Sequence, residues 1–503
     1  MSKSIIKSTM LVTIFSFFIK FLGLIEQSVV ANVCGVSNST DAFFVSTGII
    51  VNLCTVIFSS ISVSFLSKYS ETKINNGDEK ANDLLNSVIK LFIPISGLLS
   101  LCFFILAPLW AKVFAPTYEG AQLATLSRYI QISSFSFVLW CYFLVINVVL
   151  EANKIFLPGR AFGFFQNVFL IIAAICLYPH FGIITLVYAF LFAGLAQCIL
   201  VTFCARKYIK IFMKDLTQCT LAKQIFFTSV PLILGNAIYE INDIVDKQIS
   251  TSLGEGVASV LNYGSTINGI VTGVIVSSVT VVIFSHFTTW VAQGKIQEIN
   301  DNLILTINTL SVLIVPVMVM CIVAGDHIVK ILYGRGEFSD SDVIKTYGVV
   351  IGYAIGFVFQ AARANIVRVY YAFNDTKRPL INGSISVGIN ILLSIILSRY
   401  IGVKGIALST SVSMFIVTIL LLTGIKRYLP MFTFESIISE IYKAVIAGFI
   451  CSVPVFLIKK ILSINIYGKF IIEGFICVLF YSVIMLLLKS NTINFLIDKM
   501  KKR

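Results

Sequence analysis

Long apolar runs alternate with short polar segments along almost the whole chain, and this pattern predicts a protein built of membrane-spanning helices. A helix needs about 20 mostly apolar residues to cross a bilayer, and fourteen runs are long enough. We predict spans at 8–31, 41–66, 85–111, 122–150, 161–179, 183–205, 224–247, 257–284, 302–325, 343–372, 380–399, 403–425, 440–458 and 466–488. The runs lack the alternation of a β-barrel wall. The predicted fold class is therefore all-α and integral to the membrane.

The composition supports this prediction. Of the 503 residues, 57% are hydrophobic and 12% are charged, and the mean hydropathy is +0.94. A soluble protein carries about 25% charged residues, so the composition disfavours a soluble enzyme, a nucleic-acid-binding domain and a disordered protein. Most of the eleven cysteines lie inside apolar runs and none forms a C-x-x-C pair, which indicates buried free thiols.

The basic residues report the orientation of the chain. The net charge is +14, a value that on its own would suggest a nucleic-acid partner. Of the Lys and Arg residues between the spans, however, 22 fall in the segments on one side of the predicted membrane and nine on the other. Cytoplasmic loops carry the excess of basic residues. We therefore predict a membrane protein with both termini in the cytoplasm and no nucleic-acid partner.

The chain repeats itself weakly at an offset of about 220 residues. The shared features are a proline that opens a span, an asparagine inside that span and a glycine after it. They are Pro158, Asn167 and Gly182 in the first copy and Pro379, Asn390 and Gly402 in the second. Parallel repeats of six helices are a transporter architecture. We predict an N-terminal lobe at 1–218, a C-terminal lobe at 219–430, and two further spans with a basic cytoplasmic tail at 431–503.

No motif for nucleotide hydrolysis is present, because the chain contains no G-x-x-x-x-G-K-[ST] sequence. The three histidines are scattered, and the chain has no H-E-x-x-H zinc motif. We therefore predict a transporter rather than an enzyme. It would be driven by an ion gradient or by the membrane potential.

Ionisable residues inside the spans are the most informative chemistry in the chain, because such residues are costly in lipid and usually functional. They comprise Lys20, Glu26, Asp41, Glu240, Asp243, Asp246, Arg363 and Arg368. The three acids of the seventh span are three residues apart, which places them near one helical face and suits a coupling Na⁺ or proton. The cations suit an anionic substrate, and arginine holds phosphate through two donors. The alternative is structural pairing, such as Lys20 with Glu26 or an acid with Lys247.

Several short motifs resemble those of one known family. They are Leu22–Gly23, Val30–Ala31, Thr40–Val45, Leu332–Phe338, Tyr371–Pro379 and Gly405–Ser411, and they follow one another in the same order as in that family. The chain thereby resembles the MurJ (MviN) family of the multidrug/oligosaccharidyl-lipid/polysaccharide exporter superfamily. The resemblance implies a flippase for lipid II, the undecaprenyl-pyrophosphate-linked precursor of peptidoglycan.

The resemblance also implies two sets of site residues. The family has cavity arginines on its first, second and eighth helices. Here Lys20 matches the first of them, Glu26 reverses the charge of the next, and Thr266 replaces the arginine of the eighth helix, whereas Asp41 matches the family's acid. For the family's Na⁺ site, Asp246, Asn390 and Thr410 match and Ser394 replaces an acid. We expect no other cofactor than this coupling Na⁺ or a proton.

Three functions stay open at this point. The first is a lipid II flippase that works by alternating access, with Lys20, Glu26, Asp41, Arg363 and Arg368 at the substrate and Asp246, Asn390, Thr410, Glu240 and Asp243 at the coupling ion. The second is a flippase for capsule or O-antigen repeat units, and the third is a cation-coupled multidrug exporter. The expected partners are the lipid-linked glycan, membrane lipid, and enzymes of cell-wall or polysaccharide synthesis.

Overall fold

The computed structural model describes residues 3–210 and 219–495. Within these ranges the chain forms helices and no strand, so the predicted fold class is confirmed. Residues 211–218, which end at the predicted lobe boundary 218/219, lie outside the described residues, and so does the basic tail at 496–503.

The helices are numbered in chain order, and three short π-helical segments, π1 to π3, interrupt them. The bounds are α1 Lys3–Cys34, α2 Asn38–Cys54, π1 Thr55–Ser59, α3 Ser60–Ile105, α4 Ala107–Phe114, α5 Gly120–Ser134, α6 Ser136–Ala152, α7 Leu157–Arg160, α8 Phe162–Ile172, π2 Ala173–Leu177, α9 Tyr178–Phe181, α10 Ile184–Ala205, α11 Cys219–Ser252, α12 Val257–Val271, π3 Thr272–Val276, α13 Ser277–Ala292, α14 Ile296–Val323, α15 Gly325–Leu332, α16 Asp340–Ala354, α17 Phe357–Ala372, α18 Lys377–Ile401, α19 Val403–Ile425, α20 Glu435–Ile461 and α21 Ile466–Leu487.

The number of helices able to cross a membrane is close to the fourteen predicted spans. In the described residues twelve helices are long and apolar enough, and the pair α16 and α17, bent by 43°, makes thirteen. One of the twelve covers the 68 residues Asn38–Ile105, which at 1.5 Å per residue is about three times the thickness of a bilayer core. It turns at Gly77, where φ is 84°, and so accounts for the two predicted spans 41–66 and 85–111.

The first of two compact units comprises Met1–Ser259 and Gly336–Phe338. In it α3 packs against α6 and α11, and α1 packs against α8. Large side chains such as Phe65, Phe92 and Phe137 are fully buried. Ser37 caps α2 by accepting a hydrogen bond from the backbone N–H of Thr40 at 3.2 Å, which starts this helix at the polar end of its apolar run.

The second unit comprises Val260–Arg335 and Ser339–Arg503. Helices α18 and α19 pair along their length, α16 and α17 pack against α19, and α20 packs against α14 and α21. A capping box at Ser339 and Asp342 begins α16. An apolar core that includes Phe287, Ile366 and Leu421 holds α13, α17 and α19 together.

Local conformations recur at nearly the offset at which the sequence repeats. Gly182 ends α9 with φ at 71°, and Gly402 ends α18 with φ at 65°. Glycine adopts this left-handed conformation without a steric penalty. The π1 and π3 segments begin at Thr55 and Thr272, directly after α2 and α12, so each copy carries a π-helical segment within its second long span. Such segments are frequent at functional positions in helices.

Candidate functional site

Helix α11 carries a polar stripe that faces α2 and the start of α3. The stripe consists of Asn236, Glu240, Asp243 and Lys247, whose spacing of four, three and four residues keeps them on one face. Asn236 donates through Nδ2 to Ser60 Oγ at 3.1 Å. The side chain of Asp243 is 53% exposed. A charged carboxylate this exposed on a helix of the membrane region indicates a water-accessible surface.

Asp243 accepts two of the hydrogen bonds made by this stripe. Its Oδ2 accepts hydrogen bonds from Asn52 Nδ2 at 2.6 Å and from Lys247 Nζ at 2.7 Å. Gly48 stands one turn before Asn52 on α2, and a Cβ at this position would overlap Lys247 Nζ. The absence of a side chain at Gly48 therefore lets the lysine lie against α2. For Asp243 the structure therefore shows the structural pair with Lys247, the alternative to an ion-coupling role that the sequence left open.

The expectation that the three acids of α11 share one face was wrong for Asp246. Asp246 is buried and accepts a hydrogen bond from Asn242 Nδ2 at 3.3 Å. At 3.6 residues per turn, Glu240 and Asp246 lie about 120° apart around the helix. Each step of three residues ends about 60° short of a full helical turn. Asp243, one step from Glu240, is therefore still on the stripe, whereas Asp246, two steps away, is not. Glu240 is half-buried.

Asp41 forms a helix cap in the structure. Its carboxylate is fully buried, and Oδ1 accepts hydrogen bonds from the backbone N–H of Ser259 at 2.6 Å and from Ser259 Oγ at 2.5 Å. Ser259 lies in the first turn of α12, where unpaired N–H groups and the helix dipole favour an anion. This geometry gives Asp41 a structural role, while the prediction that it also contacts substrate stays a prediction.

The ionisable residues of α1 do not pair with each other. Lys20 is exposed and Glu26 is 3% exposed. Lys20 and Glu26 are six positions apart, which puts the two side chains about 120° apart around the helix. Among the described residues no ion pair within 4 Å joins Lys20 to Glu26, so the structural pairing considered for them is not formed. Lys20 remains available to an anionic ligand.

The two arginines of α17 lie in the second unit and point in different directions. Arg363 and Arg368 are five residues apart, which places them about 140° apart on the helix. Both are half-buried. The guanidinium carbon of Arg368 lies 5.1 Å from the ring centroid of Phe284, a cation–π contact. The structure therefore does not bring these two cations together on one face.

Helices α18 and α19 enclose a buried polar cluster around Asn390. Its Nδ2 donates to Thr410 Oγ1 at 3.1 Å and to Ser413 Oγ at 3.3 Å, and its Oδ1 accepts from Ser394 Oγ at 3.3 Å. Ser394 and Ser409 share a hydrogen bond of 2.6 Å. The structure thus brings together Asn390, Thr410 and Ser394, the residues that the resemblance connects with Na⁺.

These oxygens are of the kind that Na⁺ binds, but in this arrangement they already bond one another. Asp246 belongs to the first unit, whereas Asn390 and Thr410 belong to the second. Within the described residues there is no group of three or more His, Cys, Asp or Glu side chains that could hold a metal ion. A Na⁺ ion at Asn390 would bind the amide oxygen Oδ1, which here accepts a hydrogen bond from the Ser394 hydroxyl, so the ion site stays a prediction.

The turn between α17 and α18 is built around Asp375. Its Oδ1 accepts from the Arg378 N–H at 3.1 Å, and Oδ2 accepts from the Tyr428 hydroxyl at 2.8 Å. Partial burial tends to raise the pKa of Asp375, but these hydrogen bonds and the Arg378 guanidinium together lower it below its ordinary value. Asn374 precedes it with φ at 58°, a conformation that asparagine tolerates better than most residues.

Sequence reasoning did not find two of the buried acidic groups and their partners. Glu473 on α21 is fully buried and lies 2.9 Å from His327 Nδ1 on α15. Glu440 on α20 accepts from Ser490 Oγ at 2.6 Å and from the Asn491 N–H at 3.1 Å. The partners are 146 and about 50 residues away in the chain, and no spacing rule connects positions so far apart.

The chain is similar to known proteins over most of its length. A family model described as "Lipid II flippase MurJ" matches residues 30–476. The lipid II flippase MurJ of Thermosipho africanus is 28% identical over 431 residues, covering 84% of this chain and 86% of that protein. The probable lipid II flippase MurJ of Treponema pallidum is 24% identical over 440 residues, covering 84% and 82%.

Solved structures agree on the fold. A structure titled as lipid II flippase MurJ in an inward closed conformation superposes with a TM-score of 0.84 at 24% identity, covering 96% of this chain and 100% of that one. An inward-facing multidrug resistance transporter of the MATE family and MOP superfamily gives a TM-score of 0.67 at 14% identity, covering 82% and 94%. At these identities the likeness establishes the fold alone.

Proposed function

The chain belongs to the MurJ family, and from this premise we propose that it is a flippase that carries lipid II across the bacterial cytoplasmic membrane. The observation that carries the proposal is the family match over residues 30–476. The helices able to cross a membrane agree with it, because a lipid-linked substrate is reached from within the bilayer. The protein is a multi-pass membrane transporter and not an enzyme.

The physical task is to move a diphosphate and its sugars through a medium in which isolated charges are very costly. Alternating access solves this by presenting a polar binding surface first to one side of the membrane and then to the other. The polyprenyl tail stays in lipid throughout. In this proposal Lys20, exposed and without an ion pair in the described part of the chain, meets the diphosphate.

The energy source is part of the proposal. An ion drives transport only if it binds one state of the protein more tightly than the other. Asp246, Asn390 and Thr410 are the proposed Na⁺ residues, and Glu240 and Asp243 are the alternative sites for a proton. If Na⁺ binds the folded protein, it must raise the unfolding midpoint relative to K⁺, and Asp246→Asn must abolish that difference.

Orientation and partners follow the same logic. We infer that both termini face the cytoplasm, because basic residues are concentrated in the connections on that side. Enzymes that make lipid II on one side and polymerise it on the other are the expected functional partners. Cysteine-labelling of single positions in loops on opposite sides would test the orientation.

Complementation tests the proposed substrate. The chain is expressed in a bacterium depleted of its own lipid II flippase, and its membrane level is verified by immunoblot. We expect growth to be rescued, to fail with Lys20→Ala and to persist with Lys20→Arg. Lys295→Ala serves as the control, because it removes an exposed cation outside the proposed site. Lysis at normal expression of the unaltered chain would contradict lipid II as the substrate.

A further inference from the structure

Glu26 is a buried acid of the membrane helices that, among the described residues, has no partner from a distant part of the chain. The side chains of Asp41, Asp243, Glu440 and Glu473 each contact a hydrogen-bond donor or a basic group from a residue distant in the chain. These donors are the Ser259 N–H and hydroxyl, Asn52 Nδ2, the Ser490 hydroxyl and His327 Nδ1, respectively. No donor or basic group from a residue distant in the chain contacts Glu26 in the part of the chain that the structure describes, although Glu26 is about as buried as Asp41, Glu440 and Glu473.

Glu26 lies on α1 and is 3% exposed. Its Oε2 accepts one hydrogen bond, from Nε2 of the adjacent Gln27 at 3.0 Å. Its Oε1 is buried and has no hydrogen-bond partner. In the part of the chain that the structure describes, no basic nitrogen lies within 4 Å of either oxygen. The carboxyl group is therefore enclosed without a counter-charge.

The surroundings of Glu26 offer no charge to compensate for an ionised carboxylate. On α1 itself the other titratable groups with described side chains are Lys20, which is exposed, and the Cys34 thiol. Helix α1 packs against α7, α8 and π2. The titratable groups on these elements are Arg160 and Cys176, and both are exposed. Glu337, whose N–H donates to the Asn32 carbonyl of α1, is also exposed. Among the described residues, none of these elements therefore places a basic group within 4 Å of Glu26.

An isolated carboxylate in such a setting costs far more than a neutral carboxylic acid with one unmet hydrogen bond. The group therefore takes up a proton when it is enclosed and gives it up when it meets water. We propose that Glu26 is a proton-binding site of this transporter, loaded in the closed arrangement of α1 and unloaded when α1 exposes it. The ligand is a proton from the aqueous phase, and the reaction is the reversible protonation of one carboxylate oxygen.

The proposal assigns Glu26 a role other than substrate binding, because a side chain this enclosed cannot contact a headgroup in this arrangement. Its use in transport rests on the proposed function, but the protonation itself does not. A proton that binds one arrangement of α1 more tightly than another shifts the balance between the two. Coupling between two ligands of one protein typically changes affinity by about 5–150-fold.

Infrared spectroscopy of the purified full chain in lipid tests the site directly. A protonated carboxyl group gives a C=O stretch separate from that of a carboxylate. We expect the unaltered protein to show this band at neutral pH and Glu26→Gln to lose it. Glu71→Gln is the matched control, because Glu71 is exposed beside Lys68, and it should leave the band unchanged. Absence of the band from the unaltered protein, or its persistence in Glu26→Gln, overturns the proposal.

A flux measurement tests the use of the site. In proteoliposomes we expect a pH gradient to accelerate lipid II movement by the unaltered chain, and Glu26→Gln to reduce the accelerated rate by about tenfold or more. Glu26→Asp keeps a titratable group and should retain the acceleration, even if Glu26→Gln does not fold. Acceleration undiminished in a folded Glu26→Gln protein overturns the coupling role. If the unaltered chain moves no lipid II, the proposed function fails, while the infrared result still decides the proton site.

Discussion

Replacing Asp41 by alanine is the sharpest test of the cap that this carboxylate forms. The side chain is fully buried, and its Oδ1 accepts hydrogen bonds from both the backbone N–H and the hydroxyl of Ser259. Alanine removes the acceptor and leaves two donors of a fully buried residue without a partner. The Ser259 hydroxyl can rotate towards another acceptor, whereas the N–H is fixed by the helix.

The size of the effect follows from these contacts. Loss of a helix cap costs about 1 kcal/mol, and a buried donor left without a partner costs about 1–3 kcal/mol. We therefore expect Asp41→Ala to lower the free energy of unfolding by about 2–4 kcal/mol. Asp41→Asn keeps an acceptor oxygen and loses only the interaction of the charge with the helix dipole, so we expect a loss of about 0.3–1 kcal/mol.

The assay is denaturant-induced unfolding of the purified chain in detergent micelles, followed by circular dichroism. A double-mutant cycle with Ser259→Ala isolates the pair. Ser259→Ala alone removes one of the two donors, and we expect it to cost about 1 kcal/mol. The double variant should be more stable than the sum of the single losses predicts, since the two groups act on each other.

Two results would refute the reasoning. The first is a stability of Asp41→Ala equal to that of the unaltered chain. The second is strict additivity in the cycle, which would mean that the hydrogen bonds to Ser259 contribute nothing. If Asp41→Ala lost lipid II transport but kept its stability, Asp41 would be a substrate-binding residue rather than a helix cap.

Three further predictions concern other parts of the molecule, each with unfolding in micelles as the measurement. Gly48→Ala should cost about 1 kcal/mol by overpacking against the ammonium group of Lys247, and the cost should vanish in a Lys247→Ala background; an unchanged cost there would contradict the contact. Folding lowers the pKa of Asp375, so the ionised side chain should add to the free energy of unfolding above its unfolded pKa of about 3.9, and this stabilisation should be lost as the pH falls through the folded pKa. An Asp375→Asn protein as stable as the unaltered chain at pH 7 would refute this. Asn390→Ala should cost about 1–3 kcal/mol because it strips partners from buried hydroxyl groups, and a neutral effect would mean that those groups bond elsewhere.

The spans could be predicted because their cause is local. A run of about 20 apolar residues is sufficient to place a helix in a bilayer, and the Asn75–Asn76–Gly77 sequence marks the turn that breaks Asn38–Ile105. The MurJ resemblance is confirmed by the family match. It rests on short motifs whose order, rather than any single one, is specific.

The contacts of these acids with distant residues could not be predicted, because they depend on which helices become neighbours. Asp243 and its partner Asn52 are 191 residues apart, and Asp41 and Ser259 are 218 apart. The sequence indicated that burying these acids in a membrane costs free energy and that they are therefore functional. It did not indicate that Asp41 caps a helix or that Asp246 turns away from Glu240, because a drift of a few tens of degrees per step decides which face a side chain occupies.

The central claim is that this chain moves lipid II across a bilayer, and a direct measurement is its transfer between leaflets. Purified protein is placed in liposomes with fluorescent lipid II, and the fraction open to a membrane-impermeant quencher is followed in time. The account predicts that the protected fraction becomes accessible with the unaltered chain and stays protected in protein-free liposomes and with Lys20→Ala. A rate no faster than in protein-free liposomes, from protein shown to be folded, would contradict the account.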